Sequence, residues 1–286
     1  MHPHRFPFPS GGFLTRDMQE AFAANGFLIL EGYTTRGDCE ALRARAGKLM
    51  EEAAKDSKTV FSTTTREHAA DRYFMESGDK IRFFWEKDAF DSVGNLTLEP
   101  ERCLNKIGHA MHDLDPVFEA FSYRQPIARM ARALGLRVPA IIQSMYILKP
   151  PHIGGEVSLH QDSTYIYTEP DSCLGLWFAL EDATEENGCM YFLPGDYPLA
   201  ERNVRTGPYA TRNVSLAEPA WDSGDAVAAP VQVGSVVLFH GRAPHFSGPN
   251  RSDRSRHAYT LHLIDRTARY PEDNWLQREL PLRSLS

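Results

Sequence analysis

The stretch "SLHQDSTYIY", residues 158–167, sets the interpretation of the second half of this chain. His160 and Asp162 are two residues apart in a run whose neighbours favour an extended backbone. Residues i and i+2 of a strand lie on the same face, so we expect the imidazole and the carboxylate side by side. Such a pair is half of a metal site, although a lone H-x-D is more often a solvated strand edge or a hydrogen-bonded loop. A metal site requires a third ligand elsewhere in the chain.

The region around this stretch is rich in short β-prone segments. Runs of β-branched and aromatic residues, separated by Gly, Pro, Asn and Asp, predict strands. The runs are residues 138–148, 157–167, 173–180, 189–193, 234–240 and 256–264. Several short strands in succession are typical of a sandwich or a barrel. We therefore expect a mainly β core over residues 138–265, containing the metal site.

The first half of the chain indicates helices. Thr15 is a suitable cap for a helix that ends at Asn25-Gly26, and an apolar, strand-like run follows at residues 27–30. A second helix is predicted after Thr35, with an apolar stripe at helical spacing. The stripe consists of Cys39, Leu42, Ala46, Leu49 and Met50.

Further along, "KIRFFWEKDAF" predicts a strand pair or a strand entering a turn, and residues 116–136 predict two short helices divided near Pro126. We expect a single domain over residues 1–286. Its parts are an irregular arm (1–14), a helical buttress with the first strands (15–137), the β core (138–265) and a C-terminal segment (266–286).

The composition limits the class of partner. The chain has 286 residues, 42% of them hydrophobic and 24% charged, with a formal net charge of −7. The absence of a basic stripe argues against nucleic acid, and no apolar run approaches the length of a membrane span. Four widely spaced cysteines without a C-x-x-C pair argue against a disulfide framework and fit a reducing, cytoplasmic compartment. We expect a small-molecule substrate.

The third metal ligand is sought in "GSVVLFHGRAPHFSGPNRSDRSRHAYTLHLID", which offers His240, His245, His257 and His262. Two histidines and one carboxylate form the facial triad of non-haem Fe(II) oxygenases, which leaves coordination positions open. Zinc hydrolases also use two histidines and an acid, but typically as H-E-x-x-H on a helix, a motif this sequence lacks. The pattern favours iron over zinc.

The last predicted strand has two different faces: Tyr259, Leu261 and Leu263 on one, and Arg256, Ala258, Thr260 and His262 on the other. The first face suits a dry core. The second is small and polar, and an arginine buried there would need a carboxylate partner, ideally held by two hydrogen bonds. The alternative is an Arg256 that forms an ordinary surface salt bridge with an acid of the chain.

Together these residues resemble the Fe(II)/2-oxoglutarate dioxygenases of the phytanoyl-CoA hydroxylase family. The resemblance lies in H-x-D (His160, Asp162), in H-x-S (His245, Ser247) and in an arginine eleven residues after that histidine, Arg256. It extends over most of the chain, and these long matches are far more specific than the triad alone. They include "NGFLILEGY", "SGDKIRFFWEK", "NKIGHAMH", "QSMYILKPPHIGGEVSLHQD", "EDATEENGCMYFLPGDY" and "SDRSRHAYTLHL".

The resemblance implies a double-stranded β-helix, a cupin-like jelly roll, buttressed by the N-terminal helices. It implies that His160, Asp162 and His245 bind Fe(II) and are catalytic, with O₂ and 2-oxoglutarate as co-substrates. The residues that fall where relatives contact 2-oxoglutarate are Lys106, Met145, Trp177, Ser247 and Arg256. The alternatives are a core tryptophan at Trp177, simple packing at Met145 and an exposed lysine at Lys106.

The implied reaction couples oxidative decarboxylation of 2-oxoglutarate to hydroxylation or desaturation of a small molecule. Halogenating relatives lack the carboxylate that this chain keeps as Asp162. A cupin-like metal-dependent isomerase or a non-catalytic binding module remains the alternative. Residues 150–157 and 200–230 are predicted lid loops. Substrate contact and core packing are both open for Arg82, Phe84 and Trp85.

Overall fold

The computed structural model describes residues 4–53, 72–86, 89–91, 93, 96–99, 102–219 and 221–286. Its helices are α1 Arg16–Asn25, α2 Arg36–Ala53, α3 Arg72–Met75, α4 Met111–Leu114, α5 Pro116–Ser122 and α6 Gln125–Ala133. Its strands are β1 Arg5–Pro7, β2 Phe27–Glu31, β3 Ile81–Trp85, β4 Leu104–His109, β5 Pro139–Ile147, β6 Val157–His160, β7 Leu174–Ala179, β8 Met190–Phe192, β9 Glu201–Gly207, β10 Ala210–Ser215, β11 Val227–Ala229, β12 Val236–His240, β13 His245–Ser247 and β14 Ala258–Asp265. The predicted mainly β fold is confirmed.

Two sheets form the core of the fold. The large sheet has the order β1-β2-β12-β7-β14-β5-β4-β3, and the small sheet has the order β11-β8-β13-β6. Side chains alternate across the large sheet: Leu176 and Phe178 belong to a core shared with the helices, whereas Trp177 and Ala179 belong to a core shared with the small sheet. The second core therefore lies inside a sandwich, where the predicted jelly roll would place its site.

Local capping explains the first two helices. The Thr15 hydroxyl accepts a hydrogen bond from the Met18 N–H (3.3 Å), and α1 ends at Gly26, whose φ of 77° is the left-handed conformation that glycine adopts most easily. The whole apolar stripe predicted for α2 is buried against the large sheet. Both predicted helices and the strand after α1 are confirmed. Residues 54–71 of the predicted buttress and residues 1–3 of the predicted arm lie outside the described residues.

Several predicted boundaries are wrong. The arm is not irregular throughout, because Arg5–Pro7 pairs in parallel with β2. The run 157–167 leaves the strand after His160, and Asp162–Thr164 is a 3-10 turn. The last predicted strand begins at Ala258, so Arg256 precedes it. Tertiary contacts, rather than β propensity, set these limits.

Several strands were not predicted, among them β4, β11, β13 and both strands of a hairpin. Residues 200–230, predicted as a lid loop, contain the antiparallel hairpin β9–β10. Strand β4 joins β3 to β5 in the large sheet, although "LNKIGH" has no clear alternation of apolar and polar residues. None of the helices in the described ranges combines the length and the apolarity needed to cross a bilayer.

We expect Gly175→Ala to destabilise the fold by about 1–3 kcal/mol, because a small-to-large change in a packed core causes strain. Gly175 on β7 lies opposite Phe239 on β12, and a methyl group there would overlap the phenylalanine ring. The measurement is the free energy of unfolding in urea. Gly37→Ala in α2 is the control, since its nearest neighbour would be 3.8 Å away. Equal stability of the two variants would contradict this account of the packing.

Candidate metal centre

Three potential ligand atoms converge at one edge of the small sheet. His160 ends β6, Asp162 begins the 3-10 turn and His245 begins β13. The two histidines are directly paired across the strands, and their ring centroids are 4.3 Å apart. The Asp162 Oδ1 atom lies 3.3 Å from His160 Nε2 and 3.7 Å from His245 Nε2. The structure thus brings together the three residues that the sequence singled out, with all ligand atoms within 4.8 Å of one another.

The histidine tautomers suit metal binding. His160 Nδ1 lies 2.8 Å from the carbonyl oxygen of Ser158, and His245 Nδ1 lies 3.0 Å from that of Ala243. A carbonyl oxygen only accepts hydrogen bonds, so each Nδ1 carries the proton and donates. In a neutral ring this leaves Nε2 unprotonated, so the nitrogen with the lone pair is the one that faces the potential metal position. Backbone bonds of this kind orient metal-binding histidines in proteins generally.

The local charges favour an ionised carboxylate. Burial would raise the pKa of Asp162, but the neighbouring His262 and His245 outweigh it, so the pKa lies well below its usual range. Burial, followed by the nearby His160, lowers the pKa of His245 to about 4. Burial would also lower the pKa of His160, but its hydrogen bond to Asp162 outweighs this effect and the pKa is raised. The cluster thus offers one anionic oxygen and, at His245, a neutral imidazole.

The middle residue of the H-x-D motif fastens the site to its surroundings. The Gln161 side chain is buried, donates to the carbonyl oxygens of Pro198 (3.0 Å) and Arg242 (2.6 Å), and accepts from the Ala200 N–H (2.9 Å). The bond to Arg242 reaches the turn that leads into His245. It therefore links the segment that carries His160 and Asp162 to the segment that carries His245. The role of Gln161 has no signal in the sequence, because its partners are backbone atoms that are distant along the chain.

The other three candidate histidines are placed differently. His262 Nε2 lies 2.8 Å from Asp162 Oδ2. His262 thus contacts the Asp162 carboxylate but is not one of the three potential ligands. His240 Nδ1 accepts a hydrogen bond from a backbone N–H at 3.1 Å, and His257 Nδ1 is 2.7 Å from a tyrosine hydroxyl on β5. The structure thus places His245, the histidine that the family resemblance indicated, beside the pair.

Arg256 is buried beside the core between the large and the small sheet, with 1% of its surface exposed. Its Nε donates to the Gly188 carbonyl oxygen (3.1 Å), and its guanidinium carbon lies 5.1 Å from the centre of the Trp177 ring. Its Nη1 has no hydrogen-bond partner among the described residues, and no carboxylate of those residues is within ion-pair distance. Burial lowers the pKa of Arg256 to about 10. The alternative of a surface salt bridge is therefore wrong, and the buried cation fits an anionic ligand.

The sheet register gathers the other predicted contacts. Met145 pairs with Thr260, which pairs in turn with Trp177, so these three side chains form one row. The next residue in this row is Gly108 on β4, which pairs with Met145. Lys106 lies two residues before Gly108 on the same strand, and its Nζ is 3.8 Å from Met145 Sδ. Lys106 is only partly exposed, and burial lowers its pKa to about 7. The alternative of an ordinary exposed lysine is wrong.

A cavity of about 470 Å³ opens beside the triad, within the range of small-molecule pockets. Its walls include His160, Asp162, His262, Lys106 and Met145. Trp177, Ser247 and Arg256 are buried and are not among the residues that line it.

The remaining predictions concern a lid loop and three possible substrate contacts. Gly155 and Val157 of the predicted lid 150–157 line the cavity. Phe84 and Trp85 are buried in apolar clusters, which supports packing rather than substrate contact. Arg82 lies over the Tyr73 ring, with its guanidinium carbon 4.5 Å from the centroid.

Lys149 is a second buried cation that the sequence analysis missed. Its Nζ donates to the carbonyl oxygens of Gly155 (2.7 Å) and Gly248 (2.6 Å). It thereby ties the loop before β6 to the end of β13. Burial, followed by the nearby Arg256, lowers the pKa of Lys149 to about 7. A lone lysine in "ILKPP" carries no sequence signal for such a role.

The sandwich and its two-histidine, one-carboxylate cluster define a double-stranded β-helix protein with a candidate site for a single metal ion. Solved structures agree on the fold. The non-heme alpha ketoglutarate dependent carbocyclase SnoK from nogalamycin biosynthesis has a TM-score of 0.67 at 17% identity, covering 98% of this chain and 100% of its own. EctD from S. alaskensis with bound Fe has a TM-score of 0.65 at 20% identity, covering 95% and 86%.

Sequence comparison identifies the family. A profile of the phytanoyl-CoA dioxygenase (PhyH) family matches residues 22–258. Phytanoyl-CoA dioxygenase domain-containing protein 1 of Bos taurus is 44% identical over 286 residues, covering 95% of this chain and 98% of the relative. Phytanoyl-CoA dioxygenase of Arabidopsis thaliana is 39% identical over 270 residues, covering 93% and 95%. The chain belongs to the phytanoyl-CoA dioxygenase family, which confirms the resemblance.

We expect His245→Ala to abolish tight binding of Co(II), used as a probe for a divalent ion, because it removes one of three ligands. His240→Ala should bind Co(II) like the wild type, since its ring is not part of the cluster. The measurement is a titration of metal-free protein followed by visible absorption. Loss of binding in the His240 variant but not in the His245 variant would reverse the assignment.

Proposed function

We propose that this protein is an Fe(II)- and 2-oxoglutarate-dependent dioxygenase that hydroxylates or desaturates a small molecule. One observation carries the proposal. Two imidazole Nε2 atoms and one carboxylate oxygen converge in the sandwich that also buries Arg256, a cation whose Nη1 has no hydrogen-bond partner in the described part of the chain. This combination meets the needs of both a ferrous ion and an anionic co-substrate.

The residues have distinct roles in this proposal. His160, Asp162 and His245 would hold Fe(II), and a set of three protein ligands would leave coordination positions open. The bound iron and 2-oxoglutarate supply the O₂ activation that is coupled to loss of CO₂ and formation of succinate. The protein holds the three ligands in place through backbone bonds to both histidines and keeps water from the buried side of the site.

Arg256 would bind the distal carboxylate of 2-oxoglutarate, with the buried Ser247 hydroxyl adding a hydrogen bond. Met145 and Trp177 would form the wall on either side of Thr260, and Lys106 would approach a carboxylate as a point charge. Arg256 Nη1, which has no hydrogen-bond partner among the described residues, fits a metal site that also takes an anionic co-substrate. On this ground we favour the dioxygenase over an isomerase or a non-catalytic binding module.

The cavity supports a small-molecule substrate with both polar and apolar parts. One face of the β9–β10 hairpin contributes Asn203 and Asn213, which are paired in register and joined by a 2.7 Å hydrogen bond. Phe74 and Trp275, whose rings stack at 4.5 Å, also line the cavity. A substrate bound here would present a target C–H bond to the open side of the triad.

We expect the wild-type protein to form succinate slowly from 2-oxoglutarate with Fe(II) and O₂, even without a prime substrate. Asp162→Ala should reduce this rate to background, because two histidines alone do not complete the site. The measurement is succinate by mass spectrometry. Asp253→Ala is the control, since that carboxylate is exposed and its partner among the described residues is the surface His152. Metal binding without any succinate would favour an isomerase or a binding module.

We expect Arg256→Lys to raise the KM for 2-oxoglutarate at least about tenfold, because an ammonium group cannot reproduce a two-point contact with a carboxylate. Anaerobic titration of the Fe(II) protein with 2-oxoglutarate, followed by the weak visible charge-transfer band, should show a similar loss of affinity. Arg254→Lys changes an exposed arginine and is the matched control. An unchanged KM in Arg256→Lys would place the co-substrate carboxylate elsewhere.

A further inference from the structure

The two oxygens of the Asp162 carboxylate have different partners. Oδ1 faces the ligating nitrogens, at 3.3 Å from His160 Nε2 and 3.7 Å from His245 Nε2. Oδ2 is directed away from them and lies 2.8 Å from His262 Nε2. The carboxylate is therefore held in one orientation, with a single oxygen exposed to the place where an ion would be bound.

His262 is itself rigidly placed. It lies inside β14, between Gln143 on β5 and Gly175 on β7, and is buried in the centre of the large sheet. An ionised carboxylate can only accept hydrogen bonds, so His262 Nε2 carries a proton and donates it to Oδ2. The other ring nitrogen, Nδ1, is buried and has no hydrogen-bond partner among the described residues. The bond to Asp162 is thus the polar contact that the structure gives this imidazole.

We propose that His262 is a positioning residue, whose Nε2–H holds Asp162 Oδ2 so that only Oδ1 is offered to the metal ion. The proposal rests on the proposed function, because it assumes that the triad binds an ion. A carboxylate released from this bond can rotate and offer both oxygens. It would then bind the ion less specifically and compete for a position that 2-oxoglutarate requires.

A simple packing role for His262 is the competing explanation, and two amide variants separate the two. The side-chain amide nitrogen of glutamine is the same number of bonds from Cα as histidine Nε2, so His262→Gln keeps a donor within reach of Oδ2. The amide of asparagine ends one bond earlier, at the position of Nδ1, so His262→Asn loses the donor. Both variants replace an imidazole with an amide and remove aromatic packing.

The experiment measures the Co(II) dissociation constant of metal-free protein by titration, with Fe(II) under anaerobic conditions as a second probe. We expect His262→Gln to bind within about threefold of the wild type and His262→Asn to bind about 10–100-fold more weakly, the usual effect of losing an outer partner of a metal ligand. His240→Asn is the control for removing a histidine outside the cluster and should bind like the wild type. Urea unfolding of the metal-free proteins checks that the variants are folded.

The outcomes separate the two proposals. Equal affinity of the glutamine and asparagine variants would overturn the role of His262 while leaving the metal site intact. A wild-type protein that binds neither Co(II) nor Fe(II) would overturn the proposed function itself. If the asparagine variant does not fold, the glutamine variant decides: a more than tenfold loss of affinity in folded His262→Gln would exclude positioning by a hydrogen-bond donor, and retention of affinity would support it.

Discussion

The site depends on the antiparallel pairing of two very short strands, β6 and β13. Directly opposed residues of such a pair have their side chains in contact range, so the pairing of His160 with His245 sets the two imidazoles beside each other. A shift of register by one residue would turn one of them to the other face of the small sheet. The Gln161 bonds to the neighbouring loops and the Lys149 bonds to the loop carbonyls hold this register from both sides.

The two faces of the large sheet bury different kinds of side chain. The helix-covered face of the large sheet contains an extensive apolar core, whereas the inner face also buries polar groups, among them Arg256, Thr260 and His262. Burying a charge without an ion-pair partner is costly, and no carboxylate of the described residues is within ion-pair distance of Arg256. An anionic ligand bound in this core would supply that partner.

The orientation of the ligands is set in successive layers. Backbone carbonyls fix the tautomers of both ligating histidines, and His262 fixes the rotation of the carboxylate. Ser158 and His262 belong to strands of the sandwich, and Ala243 lies in the short turn between β12 and β13, so their positions follow from the sheets. A site arranged in this way loses little conformational freedom when an ion binds, which favours a preorganised coordination geometry.

The sequence alone determined what depends on residues close together in the chain. The Thr15 cap, the glycine at the end of α1 and the buried stripe of α2 are local features, and the H-x-D spacing already placed His160 and Asp162 side by side. The long matches to the family added the site residues that spacing cannot supply. The tertiary structure placed His245, which those matches had indicated, beside the pair. It alone showed that Arg256 is buried with no carboxylate of the described residues in ion-pair range, and that His262 contacts Asp162. The physical reason is that strand register and loop closure bring together residues far apart in the chain, and no local pattern encodes which distant strand a β-strand will pair with.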